Sequence, residues 1–271
     1  MAGFLFSRLL TGIAVIFIVA SATFFLLRVL PGGPFDNEKK IPPQILKNIE
    51  KKYGLDKPII KQYAIYIGSL AKGDFGPSYR YIDRSANDII RETLPVSLEL
   101  GVIALLAAVF FGIIAGVLSA SMPRTIYDIS SVIFSTSLIS VPSFVIGAAL
   151  IYFFSVKWRI FPAALWGSPE HIILPALTLS LAPFAYISRL VRSNMLDISG
   201  ELYIRTAKAK GISRIRILTK HILRNALIPV VTVLGPITAY LVTGSFVVEH
   251  IFAIPGIGRF FVFAVSNRDY S

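Results

Sequence analysis

Long apolar runs separated by polar segments dominate the pattern of this 271-residue chain. A helix needs about 20 consecutive apolar residues to cross the hydrocarbon core of a bilayer. Five runs reach that length, so the pattern predicts an all-α protein that crosses the membrane several times. The third run contains Pro142, which we expect to break its helix. The predicted spans cover approximately residues 9–30, 95–120, 126–156, 172–190 and 226–248.

The first run is predicted to be an uncleaved span and not a secretory signal peptide. Its apolar stretch is longer than the roughly 7–15 residues of a signal-peptide core. The sequence "PGGP" follows it, where a signal peptide would carry an A-x-A cleavage site. Residues 1–30 therefore form a predicted N-terminal transmembrane segment.

The polar segment 31–94 is predicted to be a small helical subdomain outside the membrane. Its first helix has prolines at the start and Gly54 at the end, and a second helix repeats this with Pro58 and Gly73. The sequence "SAND" at 85–88 is typical of a capping box, with Asp in the place of Glu or Gln. The subdomain is either a surface for an external partner or a packed cap over the span ends. The remainder, 95–271, is the predicted transmembrane core.

Composition supports the membrane assignment and removes several classes of function. Hydrophobic residues make up 55% of the chain and charged residues 15%, whereas soluble chains carry about a quarter charged residues. The net charge of +12 does not indicate nucleic-acid binding, because the basic stretch has no interleaved aromatic residues for base stacking. There is no cysteine, and the three histidines lie too far apart in sequence for a metal-ligand pattern.

The distribution of cations predicts the orientation of the chain. Lys and Arg accumulate in short loops on the cytoplasmic side of membrane proteins. Residues 189–224 hold nine cations against Asp197 and Glu201, so this stretch is predicted to be cytoplasmic. Counting back across the spans places the N-terminus in the cytoplasm as well. The segments predicted to lie outside are 31–94, 157–171 and 249–271.

The cationic stretch "RTAKAKGISRIRILTKHILRNALIP" at 205–229 is the main candidate for a functional surface. On a helix at about 100° per residue, its apolar and small residues form one narrow stripe and most cations lie elsewhere. Such a segment either lies on anionic lipid headgroups or docks into a groove on another protein. Small residues in the stripe favour docking, because they permit close approach. The stripe consists of Ile204, Ala207, Gly211, Ile215, Leu218 and Ile222.

These same residues resemble the EAA loop of ABC importer permeases, in the form found in the oligopeptide, dipeptide and nickel branch. Arg205, Thr206 and Ala207 stand in the E-A-A places, and Gly211 is the family glycine. Arg224 stands where the general pattern has Pro, a departure that is characteristic of the peptide branch. The resemblance extends along the chain through "KYGLDKPIIKQY", "LPVSLELG" and "IPGIG". "GDFGPSY" with "RYIDRSANDII" is most similar to the oligopeptide permeases.

The resemblance implies the ABC type I importer transmembrane fold, with six spans, so that a sixth is expected after residue 271. It implies a non-catalytic permease subunit in a prokaryotic cell membrane that imports peptides. Oligopeptides are the predicted substrate, and dipeptides, nickel or another small solute are the alternatives. The implied partners are a second homologous permease, two ATPases that bind ATP and Mg, and an external solute-binding protein. No cofactor is expected on this chain, which has no phosphate-loop motif.

The resemblance also implies that the loop at about 193–225 couples this chain to the ATPases. The residues predicted to make that contact are Glu201, Arg205, Thr206, Ala207, Lys208, Gly211, Ile212 and Arg214.

Hydroxylated residues in two of the predicted spans are candidates for a peptide path. Hydroxyl groups on a water-filled path can bind varied peptide backbones, although small hydroxylated residues also serve simply to pack helices. An ionisable residue within or near a span is a further candidate for function. The candidates are Ser137, Ser140, Ser143, Tyr240, Thr243, Ser245 and Glu249.

Two other classes of membrane protein are alternatives to a permease. A membrane hydrolase would carry a Ser–His or Asp–Asp constellation within the spans, and none is evident. A secondary transporter would show mid-membrane ionisable residues and internal repeats. Neither is evident, so it stays a distant alternative.

Overall fold

A computed structural model describes residues 2–29, 35, 43–81, 83–243 and 245–270. The end of the predicted first span at Leu30 and the "PGGP" sequence lie outside the described residues. The chain forms two compact units, residues 1–91 with 261–271 and residues 92–260.

The first unit is built from helices whose ends follow the local signals in the sequence. Helix α2 is followed by Gly54 in the left-handed region at φ 69°, and Pro58 precedes helix α3. The capping box is present as predicted, since the Asp88 amide bonds the Ser85 hydroxyl at 3.1 Å and the Ser85 amide bonds the Asp88 carboxylate at 3.0 Å. The helices are α1 Ala2–Val29, α2 Pro43–Tyr53, α3 Ile59–Leu70 and the beginning of α4 Ala86–Ser121.

The second unit contains the rest of α4 and the remaining helices up to the beginning of α13. Two short stretches are π-helical, Ile151–Lys157 directly after α6 and Ile217–Leu223 between α9 and α10. The helices are α5 Ile126–Ser140, α6 Ser143–Leu150, α7 Pro169–Ser199, α8 Leu202–Ala209, α9 Arg214–Arg216, α10 Arg224–Ala226, α11 Ile228–Val242, α12 Phe246–Ile251 and α13 Ile257–Ser266.

Four helices of the described residues are long and apolar enough to cross a membrane, and a bent pair gives a fifth candidate. The bent pair joins Ile126–Ser140 to Ser143–Lys157 at an angle of 106°. The predicted break at Pro142 is therefore present, but the third span turns sharply instead of continuing. The four single helices are Gly3–Val29, Ala86–Ser121, Pro169–Ser199 and Ile228–Ile251.

Small residues on α4 allow the long helices of the second unit to approach closely. A Cβ atom added to Gly116 would lie 2.6 Å from the Ser188 carbonyl oxygen of α7, and one added to Gly101 would lie 2.5 Å from the Leu241 carbonyl oxygen of α11. Ala104 and Ala108 continue this buried face. Close backbone contact through small residues is how helices associate inside membranes, where lipid removes the hydrophobic drive between them.

The interior of the second unit consists of two apolar clusters. One is built around Leu100, Leu174, Leu179 and Phe252. The other surrounds Ile187 and extends to the cationic stretch, so that stretch is attached to the spans by side-chain packing. Its buried members are Ile187, Val191, Met195, Ile204, Ala207, Ile217, Ile222, Ala226 and Val230.

Candidate functional site

The cationic segment, residues 201–224, begins with helix α8 held against the spans by two side chains. Ile204 is 0% exposed and Ala207 is 7% exposed, and both lie in the apolar cluster with Val191 and Met195 of α7. The Asn194 side-chain amide also donates to the Ala226 carbonyl at 3.2 Å. The segment is therefore packed against α7 at its start, and the chain is bonded to α7 again two residues after the segment ends.

A glycine turn ends helix α8. Gly211 has φ 73°, and its amide bonds the Lys208 carbonyl at 3.0 Å. The next amide, of Ile212, reaches back to the Ala207 carbonyl at 3.3 Å. These two bonds form a Schellman motif, which requires the left-handed conformation that glycine adopts without strain. A Cβ atom on Gly211 would meet nothing within 4 Å, so the glycine is needed for its backbone and not for space.

The predicted apolar stripe is wrong at Ile215, which is 75% exposed. Leu218 and Ile222 of the stripe do pack in the apolar cluster, together with Ile217, which the stripe did not include. The turn at Gly211 interrupts the helical phase, and the π-helical stretch after it has i→i+5 hydrogen bonds, which bring Ile217 and Ile222 to one face. A straight α-helical projection therefore misplaces Ile215 and omits Ile217.

The cations of the segment all lie on the exposed side. Within the part of the chain that the structure describes, none of the seven forms an ion pair. The segment thus presents a rigid, positively charged surface suited to an acidic partner. The exposed cations are Arg205, Lys208, Lys210, Arg214, Arg216, Lys220 and Arg224.

Of the residues predicted to contact an ATPase, most are accessible and one is not. Glu201, Arg205, Thr206, Lys208, Gly211 and Arg214 are exposed, and Ile212 is half-buried. Ala207 faces the interior of its own chain. The small size of Ala207 therefore serves packing against α7, which corrects the expectation that it forms part of a docking face.

A charged pair lies near the start of α5 and was missed by the reasoning from sequence. Arg192 of α7 donates to both carboxylate oxygens of Asp128, at 2.5 and 2.8 Å. The same carboxylate accepts from the Ser119 hydroxyl at 2.5 Å and the Arg124 amide at 2.8 Å. The pair joins α4, α5 and α7. Two features of the sequence could have indicated this pair. Asp128 lies near the start of the third apolar run, and Arg192 follows the end of the fourth.

The hydroxyls predicted to line a path are distributed over α5, the start of α6, α11 and the start of α12. Ser137 and Ser140 are exposed on α5 and donate to carbonyls of their own helix. Thr243 does the same at the end of α11, and Tyr240 is 59% exposed. Ser143 follows the bend at Pro142, and Ser245 accepts from the Val248 amide as the cap of α12.

Glu249 does not lie on an exposed surface, which corrects its prediction as a residue of the peptide path. It is 0% exposed, and its carboxylate accepts from the Ser97 hydroxyl at 2.8 Å and the Arg259 amide at 3.1 Å. A Cβ atom on Gly256 would lie 2.5 Å from the carboxylate, so only glycine fits there. Ser97, Glu249, Gly256 and Arg259 form the Glu249 cluster. Its bonds identify Glu249 as a residue that holds the "IPGIG" loop against α4.

Comparison with known proteins identifies the family to which this architecture belongs. Residues 108–271 match the family described as binding-protein-dependent transport system inner membrane component. Residues 1–101 match the N-terminal part of the membrane component of binding-protein-dependent transport systems. The chain belongs to this transport-system family. Its transmembrane fold is therefore that of the ABC type I importers, as the resemblance implied.

Relatives of this family member span nearly the whole chain. The dipeptide transport system permease protein DppB of Bacillus subtilis is 44% identical over 270 residues, which cover 100% of this chain and 88% of the relative. The oligopeptide transport system permease protein OppB of Haemophilus influenzae is also 44% identical, over 99% of this chain and 88% of the relative. OppB of Escherichia coli K12 is 41% identical with the same coverage. These relatives are transport permease subunits.

Proposed function

We propose that this family member is the permease subunit of an ABC importer that moves oligopeptides into the cell. Full-length similarity to oligopeptide and dipeptide permeases supports a peptide substrate. The chain would form the path with a second, homologous permease. It would receive peptide from an external binding protein and carry no cofactor or catalytic group of its own.

The observation that carries the coupling role is the construction of the cationic segment. Its buried residues Ile204 and Ala207 attach it to α7, while its exposed face presents cations on the other side. A surface of this kind can transmit a displacement to the spans, because the contact with them is packed and not flexible. We infer that it binds a groove on separate ATPase subunits, with its cations facing acidic residues of that groove.

The experiment reverses charge on the exposed face without disturbing the buried one. In the double variant Arg205→Glu, Arg214→Glu we expect loss of peptide uptake and of ATPase co-purification, with normal amounts of protein in the membrane. Both side chains are exposed, so the fold has no reason to change. Ala207→Asp is a poor test, since it buries a carboxylate in an apolar cluster.

Lys61→Glu is the matched control for this experiment, because Lys61 is an exposed cation in the first unit. It should leave uptake and ATPase retention unchanged. Wild-type uptake by the double variant, with the ATPases still bound, would contradict the coupling role.

The substrate class needs a separate test, because the dipeptide and oligopeptide relatives are equally similar at 44% identity. Reconstituted importer should be offered a labelled pentapeptide in competition with unlabelled peptides of two to eight residues and with nickel. Competition by peptides longer than three residues supports the oligopeptide assignment. Competition by dipeptides alone, or by nickel alone, would replace it with that substrate.

A further inference from the structure

A cavity of about 230 Å³ lies within the first unit, close to the last turn of α1. Its lining combines cations with aromatic side chains. The cations are Arg28, Lys51, Lys52 and Lys57, and Asp74 is the one carboxylate among the described lining residues. Four cations against one carboxylate create a local positive potential that attracts an anion.

Arg28 is held in a fixed position at this cavity. Its guanidinium lies 3.5 Å from the centre of the Phe24 ring, and its Nε donates to the Gln62 side-chain oxygen at 3.0 Å. The Gln62 amide group is in turn fixed by the Lys57 carbonyl at 2.8 Å and the Leu55 carbonyl at 3.1 Å. A planar guanidinium fixed in this way is suited to bind phosphate or carboxylate oxygens.

Much of the hydrogen-bonding capacity of Arg28 is still available. A guanidinium has five N–H donors. Among the described residues two bonds use them, one to Gln62 and one to the Phe24 carbonyl at 3.3 Å. Within the described residues no carboxylate pairs with this guanidinium. A fixed guanidinium with further N–H donors at a cavity is suited to bind an anion.

The position of Arg28 along α1 places the cavity at the depth of lipid headgroups. Gly3–Val29 is apolar, and only 6% of its most apolar window is buried within this chain, as expected of a helix that crosses the membrane. At about 1.5 Å per residue it is roughly 40 Å long, which exceeds a hydrocarbon core of about 30 Å. Its last turn therefore lies near the membrane–water interface.

Tyrosines in the cavity agree with this depth, because aromatic residues concentrate at both membrane interfaces. The lining includes Tyr53, Tyr66, Tyr79 and Tyr270. Burial raises the pKa of Tyr66 and of Tyr79 above its usual value. Both hydroxyls therefore stay protonated at neutral pH and are able to donate to an anion.

We propose that this cavity binds the phosphate group of an anionic phospholipid, with Arg28 and Lys57 as its main ligands. The volume fits a single small anionic group and is below the roughly 300–1,000 Å³ of pockets that enclose drug-sized ligands. It is therefore too small for a peptide of several residues. The site would attach the first unit to one leaflet, independently of whether peptides are the transported substrate.

Lipid retention on the purified importer, with all its subunits, tests this proposal by native mass spectrometry. The probes are phosphatidylglycerol, phosphatidylcholine and inorganic phosphate. Wild type should retain phosphatidylglycerol in preference to phosphatidylcholine, because the latter carries its own cation. Arg28→Gln and Lys57→Gln should each weaken retention, by roughly tenfold for Arg28, since hydrogen bonds to charged groups are stronger than those between neutral groups. Arg28→Lys should restore part of the binding.

Lys72→Gln is the matched control, because Lys72 is an exposed cation of the same unit that does not line the cavity. It should retain lipid as wild type does. Lys57 is exposed, so Lys57→Gln remains informative even if Arg28→Gln fails to fold. Equal lipid retention by wild type and Lys57→Gln would overturn the proposal. So would displacement of phosphatidylglycerol by equimolar inorganic phosphate, which would identify a site for free phosphate.

Discussion

Glu249 and its partners show how one carboxylate organises a loop inside an apolar region. The Ser97 hydroxyl donates to Glu249 and accepts from the Ile257 amide at 2.9 Å. The Arg259 amide donates to the other carboxylate oxygen. A buried carboxylate is tolerated where such donors surround it. The Glu249 cluster is thus a structural element of the spans.

Replacing Glu249 with Ala should destabilise the protein strongly. The Ser97 hydroxyl and the Arg259 amide would lose their acceptor, and each unpaired buried donor costs about 1–3 kcal/mol. The midpoint of thermal unfolding of the purified protein measures the loss. Glu170→Ala serves as control, because Glu170 is exposed at the start of α7. Unchanged unfolding of Glu249→Ala would contradict the role of the cluster.

Loss of Arg192 from the Asp128–Arg192 pair should destabilise the protein more than loss of Asp128. The Asp128 side chain is 3% exposed and the Arg192 side chain is 27% exposed. Arg192→Gln leaves a buried carboxylate without its cation, which costs about 3–5 kcal/mol at most. Asp128→Asn leaves an arginine that can reach water, so the loss should be smaller.

Thermal unfolding of the two variants and of the double variant measures this difference and the coupling between the residues. Arg189→Gln is the control, since Arg189 is an exposed arginine on the same helix. If Asp128→Asn lowered the stability more than Arg192→Gln, the exposure of the remaining charge would not determine the cost of breaking the pair.

At the scale of elements, the turn at Gly211 determines where helix α8 ends. The less readily the new residue adopts a positive φ, the more a substitution at Gly211 should reduce transport. Asn adopts the left-handed conformation more readily than Ala does, and a β-branched Val does so least. We therefore expect peptide uptake to decrease from Gly211→Asn through Gly211→Ala to Gly211→Val. Uptake per unit of membrane-inserted protein is the measurement.

Gly68→Ala is the matched control for this series. Gly68 lies inside α3, and a Cβ atom there also meets nothing within 4 Å, but its φ is not positive. Alanine at a helical position should leave uptake unchanged or raise stability slightly. If Gly211→Val transported as well as Gly211→Asn, the turn would not matter for coupling.

Elements with local signals could be predicted from the sequence, and those set by distant contacts could not. The capping box at Ser85 and Asp88 and the stop at Gly211 depend on residues within one helical turn, so the sequence was sufficient. Arg192 lies 64 positions from Asp128 and Ser97 lies 152 positions from Glu249, and no local pattern indicates these two contacts. The apolar stripe was wrong at Ile215 and omitted Ile217, because the turn at Gly211 and the π-helical stretch change the helical phase.

At the scale of the whole molecule, the apolar helices of the described residues and the family both indicate a multi-pass membrane protein. The orientation of the chain in the membrane is a prediction. The absence of cysteine makes it directly testable, since any introduced cysteine is the one thiol in the chain. Single variants Lys72→Cys and Lys210→Cys place that thiol at exposed positions of the predicted external and cytoplasmic segments. A membrane-impermeant maleimide applied to intact cells should label the first. It should label the second only after permeabilisation.

Labelling of Lys210→Cys in intact cells would reverse the predicted orientation and remove the cationic segment from the side where ATPases act. The unsubstituted protein is the control, because it has no thiol to react.

The order in which the chain is synthesised gives the Glu249 cluster a further significance. Ser97 and the Ile257 amide are 160 positions apart, so the cluster cannot form until residue 259 has left the ribosome. Before that point the nascent chain carries the Glu249 carboxylate without its bond from the Arg259 amide, although Ser97 has already been made. The cluster is therefore completed late in synthesis, and the "IPGIG" loop is fixed to α4 only after the chain has passed residue 259.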